Sequence, residues 1–314
     1  MNDSGKLNQT IDKMEIEMLN SSELSDCELI EKYNNIRDCH EQIDGQKYFP
    51  NLQFLYATPL EREKDRREQK DFVEQHDLPR EIISWYEEAR EKNCIWWLEN
   101  HVIARHSINR CISCGCCTAM CPAAELYEFT PRVIMEIVQE KDEESLIELL
   151  KSDTIWYCHQ CGSCKPKCPQ NNSPFGMMSS LRQLSQLKGY HLHSVRGRQQ
   201  YYARHLWGGN LWNRACTLYF RNPQPEMFKD FGPHFETVNA HLEELYLQIG
   251  AHPDREGYLS GRKVRRETLE ELRKLIATGG GLYFWQCLED YAEKDCLKEG
   301  INLDEYYDRV RREG

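Results

Sequence analysis

Along most of the chain, apolar residues recur at three- and four-residue spacing, and no strong alternation of apolar and polar positions appears, so the pattern predicts helices without a sheet. Ser25 and Glu28 make a capping-box signature, after which Ile30, Tyr33, Ile36 and Ile43 form a stripe that stops at Gly45. Residues 47–59, with aromatics and two prolines, read as an extended connection. The mixed charges of residues 61–70 predict a solvated helix face carrying i,i+4 ion pairs. After Pro79 a helical stripe runs through Ile82, Tyr86, Ala89, Trp96 and Ile103. Pro131 opens a helix carrying Val133, Ile134, Ile137 and Val138, and Leu146, Ile147, Leu149 and Leu150 mark another. Ser173 and Pro174 suit an N-cap and first helical position, Met177, Leu181, Leu184 and Leu187 form the stripe that follows, and Gly189 closes it. Further stripes end at Gly250 (Val238, Leu242, Leu245, Ile249) and at Gly279 (Leu269, Leu272, Leu275, Ile276). The expected fold is mainly α, with a central helical domain over 79–190 between a helical N-terminal extension, 1–78, and a helical C-terminal extension, 191–314. The last stretch, 282–314, is acidic and aromatic, and the pattern leaves open whether it covers the body or a partner.

Composition changes this picture in two ways. The chain has 314 residues, 40% of them apolar, enough for a core in one large or two ordinary domains. Its net charge of −11 hides a segregation: residues 154–225 contain no Asp or Glu, yet carry nine Lys and Arg. Such a basic segment between acidic flanks suits an anionic metal centre, an acidic protein surface or an anionic substrate. Nucleic acid fits less well, because the flanks are acidic and no nucleic-acid-binding signature accompanies the basic residues. A solvated basic face with no partner is the bland alternative. Within the segment, Arg196, Arg198 and Arg204 with His191, His193 and His205 alternate with Tyr201, Tyr202, Trp207 and Trp212, a mixture that reads as a protein interface.

The second change comes from fifteen cysteines. In a secreted chain they would suggest disulfides, but the first ten residues are polar and lack an apolar signal core, which points to a reducing, cytoplasmic location. No apolar run approaches the roughly 20 residues of a membrane span, so no transmembrane segment is expected. Eight cysteines fall into one pattern written twice: Cys111, Cys114, Cys117, Cys121-Pro122, then Cys158, Cys161, Cys164, Cys168-Pro169, each 47 residues after its counterpart. Three thiolates at i, i+3 and i+6 with a fourth before proline suit a [4Fe-4S] cage, whereas a structural zinc site usually takes two short Cys-x2-Cys pairs. In two-cluster ferredoxins the cysteine before proline ligates the other cluster. The expected metal ligands are therefore Cys111, Cys114, Cys117 and Cys168 for one cluster, and Cys158, Cys161, Cys164 and Cys121 for the second. Cys116 has Ser163 as its counterpart, so its sulfur is read as packing. Gly115 and Gly162 also correspond, inside the two ligand loops. Cys27 and Cys39 have no partner at metal-ligand spacing and read as ordinary thiols.

The two motifs, with Phe129-Thr130-Pro131-Arg132 between them and Trp156-Tyr157 before Cys158, resemble the C subunit of heterodisulfide reductases, and more loosely the helical ferredoxin domains of succinate dehydrogenase and glycolate oxidase. The resemblance implies an α-helical ferredoxin with two [4Fe-4S] clusters in a hetero-oligomeric complex. It would pass electrons between a flavoprotein A-type subunit and a B-type subunit with CCG domains where thiol or disulfide chemistry occurs. The long ends look more like those of the heterodisulfide-reductase-like complexes of sulfur oxidisers. The chain itself shows no CCG motif, no glycine-rich dinucleotide fingerprint and no nucleophile–base motif, so no catalytic residue is expected in it. The contrasting expectation is a binding protein whose metal centres are structural and whose basic segment grips its partner.

Overall fold

Residues 59–76, 79–217 and 264–313, with positions 241 and 248, are described by the computed structural model. The stripes expected over 25–45 and 238–250, and Cys27 and Cys39, lie outside the described residues. Two compact units share the chain: Met1–Leu78 with Ala203–Ala277, and Pro79–Tyr202 with Thr278–Gly314. Among the described residues there is no strand, in line with the mainly α expectation.

In the first unit, α1 (Pro59–Gln75) carries the charged run, but not as a wholly solvated face. Glu63 does pair with Arg67 and Lys64 with Glu68 at i,i+4, as expected. On the other side Glu61, Arg62, Asp65 and Gln69 are buried. Polar partners make that burial tolerable: Asn213 Nδ2 donates to Asp65 Oδ1 at 2.8 Å, and Arg204 Nη2 to Gln69 Oε1 at 2.7 Å.

In the second unit, the stripe expected to run from Ile82 to Ile103 is broken into α2 (Glu81–Glu91), α3 (Cys94–Asn100) and α4 (Val102–Ile108). Single side chains cause the breaks. Asn93 Oδ1 accepts the Trp96 N–H at 2.8 Å, and His101 Nδ1 the Ala104 N–H at 3.4 Å, so each starts a new helix. The deeply buried indole is accordingly Trp97, with Trp96 only partly covered. A short α5 (Cys116–Ala119) lies inside the first cysteine motif. The two stripes between the motifs form α6 (Pro131–Glu140) and α7 (Glu143–Lys151).

The central element is α8 (Pro174–Lys188), which packs against α2, α4, α6 and α7. Its expected stripe of Met177, Leu181, Leu184 and Leu187 is fully buried, and Met178 is core as well. Gly176 lets α4 approach: a Cβ there would stand 2.9 Å from Ile103 Cγ2 and 2.8 Å from Ser173 Oγ. Polar bonds tie α8 to its neighbours. Trp97 Nε1 donates to Ser180 Oγ at 2.8 Å, and Ser185 Oγ to Leu150 O at 2.7 Å. The Glu143 carboxylate accepts the Cys94 and Ile95 N–H groups, capping α3 from α7.

The basic segment is divided between inside and outside: Lys165, Lys167, His193, Arg196 and Trp207 are exposed, while several of its aromatics and histidines turn inward. His191 and Tyr201 are buried in the second unit, and Arg204, His205 and Trp212 in the first. After α9 (Val195–Ala203) come a π-helical turn, Arg204–Gly208, and α10 (Gly209–Arg214). Also in the first unit, α11 (Arg266–Thr278) takes the stripe ending at Gly279, and Arg273 lies 4.6 Å over the Trp212 ring. The acidic, aromatic tail forms α12 (Gly281–Glu299) and α13 (Leu303–Arg312), and it covers the body of the second unit. Tyr283 and Phe284 pack on Tyr86, Tyr291 Oη donates to Leu187 O at 3.0 Å, and Tyr306 packs edge-on to Tyr201. Among the described residues no helix is long and apolar enough to cross a membrane.

Candidate metal centres

The two cysteine motifs fold into the same backbone twice. Thr118 N to Gly115 O, Cys121 N to Thr118 O and Ala124 N to Cys121 O recur, 47 residues later, as Lys165 N to Gly162 O, Cys168 N to Lys165 O and Asn171 N to Cys168 O. Positive φ recurs too: Ser113 and Gln160 at 52° and 55°, Gly115 and Gly162 at 80° and 75°. The Cβ space at both glycines is open enough, so glycine is needed there for its left-handed φ. Pro122 opens a 3-10 turn, Pro122–Glu125, at the end of the first motif, and the next α-helix after each motif begins on proline: Pro131 after Thr130 and Pro174 after Ser173, both caps at φ −123°.

Each loop encloses a cavity, of about 390 and 360 Å³ counting the part open to solvent. Cys121, Cys158, Cys161 and Cys164 line the first, and Cys111, Cys114, Cys116, Cys117 and Cys168 the second. So each cavity brings together three thiols of one motif and the thiol before proline of the other. Cys116, read as packing, faces the second cavity with them. Pro174 lines both, so the start of α8 stands between the two spaces.

The thiols surround these spaces instead of meeting at one point: among the described residues, no three His, Cys, Asp or Glu side chains are placed to hold one ion. A zinc ion would draw its sulfurs to about 3.8 Å from one another, the tetrahedral edge for a Zn–S bond near 2.3 Å. A soft, all-sulfur donor set around a cavity fits an iron–sulfur cage.

Hydrogen bonds and burial pull the pKa values of several of these thiols in opposite directions. The Cys116 N–H holds the exposed Cys114 below the usual thiol range, and the Ser163 hydroxyl and N–H do the same for Cys161. Burial pushes Cys117 up to about 11, and raises Cys158 and Cys164. A bound cationic metal reverses that cost by taking the thiolate as ligand.

The supports differ between the loops. At the first, Gln139 Nε2 donates to Ile108 O and Cys111 O at 3.1 and 2.9 Å, and Arg132 lines the cavity with its Nε 2.8 Å from Glu136 Oε1. At the second, Gln160 Nε2 lies 3.4 Å from Cys158 Sγ and is held by Ser179. Arg182 of α8 donates to Ile155 O at 2.8 Å and Cys158 O at 2.5 Å, and lies 5.3 Å over the Trp156 ring. Tyr157 stacks on Tyr127 with centroids 4.7 Å apart, and Arg196 covers both rings. Trp156 is core, and Tyr157 is partly buried and packed against that core. Arg182 is one of the nine cations of the acid-free segment, but the sequence gives no signal that singles it out from the others, since a lone arginine on a helix stripe has no spacing of its own.

Residues 107–172 match the family model of a 4Fe-4S dicluster domain, which defines the class of this region. The chain is similar to the C subunit of the ferredoxin:CoB-CoM heterodisulfide reductase of Methanosarcina acetivorans, at 33% identity over 175 residues, 55% of this chain and 62% of that protein. It is also similar to the iron-sulfur C subunit of the CoB–CoM heterodisulfide reductase of Methanopyrus kandleri, 32% identical over 84 residues, 27% of this chain and 42% of that one. A third relative is the C subunit of the H2:CoB-CoM heterodisulfide,ferredoxin reductase of Methanothermobacter marburgensis, 31% identical over 64 residues, 20% of this chain and 33% of the other. The chain thus spans less than two thirds of the length of each of these relatives. The resemblance read from the motifs is borne out.

Proposed function

We propose that this chain is an electron-transfer subunit holding two [4Fe-4S] clusters, one on Cys111, Cys114, Cys117 and Cys168 and the other on Cys158, Cys161, Cys164 and Cys121. The observation that carries the reading is the lining of the two cavities, each by three thiols of one motif and the pre-proline thiol of the other. Bound there, each cluster supplies a centre that takes up and gives back one electron. The chain's own part is to position and shield. The doubled hydrogen-bonded loop sets the thiols at fixed spacing, the Tyr127–Tyr157 stack and Trp156 keep water from the second loop, and α8 holds both sites from one helix.

The relatives named above are C subunits of heterodisulfide reductases. By that likeness the chain would lie between a flavoprotein A-type subunit and a CCG-domain B-type subunit in a hetero-oligomeric complex. Disulfide reduction, or its counterpart in sulfur oxidation, would then belong to the B-type partner, with no substrate site in this chain.

Anaerobically prepared protein should carry about eight iron atoms, four per cluster, and give electron paramagnetic resonance of two interacting centres on reduction. Cys168→Ser should alter the same centre as Cys111→Ser, and Cys121→Ser the same centre as Cys158→Ser. A colourless protein holding only zinc would overturn electron transfer; Cys168 grouping with Cys158 would overturn the crosswise ligand set.

A further inference from the structure

The charges behind the two cavities are unequal. Arg132, at the cavity of Cys111 and its partners, has Glu136 Oε1 2.8 Å from its Nε, so a carboxylate on the same helix offsets it. Arg110, just before Cys111, is exposed and screened by water. Arg182 stands differently. Its bonds go to the carbonyls of Ile155 and Cys158 and its plane to the Trp156 ring, all neutral groups. No ion pair to it is found among the described residues. Arg196 adds a second cation, 5.3 Å from both rings of the Tyr127–Tyr157 stack, although exposed; Asp153 accepts its backbone N–H. The acids on this side are Glu125 and Glu128, both exposed, where water weakens them, and the half-buried Asp153, which bonds the Arg196 backbone and makes no ion pair with Arg182.

A covered guanidinium without a carboxylate is costly unless an anion lies within reach. The loop it grips is the one whose thiolates would supply that anion. A fixed cation in a low-dielectric setting favours the more negative, reduced state of what it faces.

Resting on the ligand reading above, we propose that the site of Cys121, Cys158, Cys161 and Cys164 has the higher reduction potential, and that Arg182 is the positioning residue that sets this order. An electron delivered by a one-electron donor to the site of Cys111, Cys114, Cys117 and Cys168 then passes on: that site is oxidised by one electron as the other is reduced by one. No bond is made or broken and no proton moves. Pro174, in both cavity walls, keeps the step short.

Potentiometric titration of the full chain with dithionite, followed by electron paramagnetic resonance, should resolve two potentials. Arg182→Gln should lower the higher one and leave the lower in place, and Arg182→Lys should restore most of the loss. Glu136→Gln, which frees Arg132, should raise the lower potential alone. If Arg182→Gln does not fold, Arg196→Gln should lower the higher potential by a smaller step. Two unchanged potentials in a folded Arg182→Gln, or movement of the lower one, would overturn the ordering while leaving the clusters in place. A wild-type chain with no reducible centre would overturn the ligand reading and the ordering with it.

Discussion

His191 shows how one buried side chain ties stability to acidity. It is 1% exposed, meets the Tyr291 ring edge-on at 5.6 Å, and has His193 as a nearby like charge. Burial pulls its pKa from 6.5 down to about 4. The unfolded chain takes up this proton near 6.5 and the folded chain only near 4, so stability is lost as pH falls through that window. The shift corresponds to roughly 3 kcal/mol. Denaturant titrations between pH 7 and 4 should show wild type losing about that much more than His191→Gln; equal losses would assign the pH dependence elsewhere. Cys116 and its counterpart Ser163 each line the cavity of their own loop, so the position is a wall in both, and serine at one of them marks the sulfur as dispensable there.

At the scale of elements, α8 is where sequence and structure agree most closely. Its starting proline, its stripe and its closing glycine were all legible, because each is a local signal, although Ser173 holds the cap position without a side-chain cap bond. The close contact at Gly176 was not, since only the approach of α4 gives that glycine its meaning. Gly176→Ala should push Ile103 and Ser173 aside and cost roughly 1–3 kcal/mol, the usual penalty of overpacking; a thermal midpoint within a degree of wild type would show that the pair yields freely. The breaks between α2, α3 and α4 were likewise hidden. Asn93 and His101 cap through single hydrogen bonds, and an apolar stripe passes over such stops without interruption. The charged run of α1 misled for a different reason. Its buried side is satisfied by residues more than a hundred positions away, such as Asn213, which periodicity cannot show.

For the whole molecule, the segregated charge is split between exposed cations, Lys165, Lys167 and Arg196, and cations engaged within the chain. Arg182 turns to the loop of Cys158, Arg198 bonds Glu313 at 2.9 Å, and Arg204 is buried, so much of the acid-free segment is engaged within the chain. The acidic tail, undecided from its pattern, lies over the body of the second unit. The cysteine spacing, by contrast, marked the stretches that line the two cavities, because metal-binding loops are short and their geometry is local, although Cys116, read as packing, lines one of them too.

Those pockets share Pro174, and each takes its fourth thiol from the opposite motif. Under the proposed ligand set, filling one preorganises the other, so loading is cooperative. Native mass spectrometry of apoprotein supplied with too little iron and sulfide should find blank chains beside fully charged ones, and a dominant half-charged population would contradict it. A cell short of iron would then keep fewer working wires in place of many broken ones.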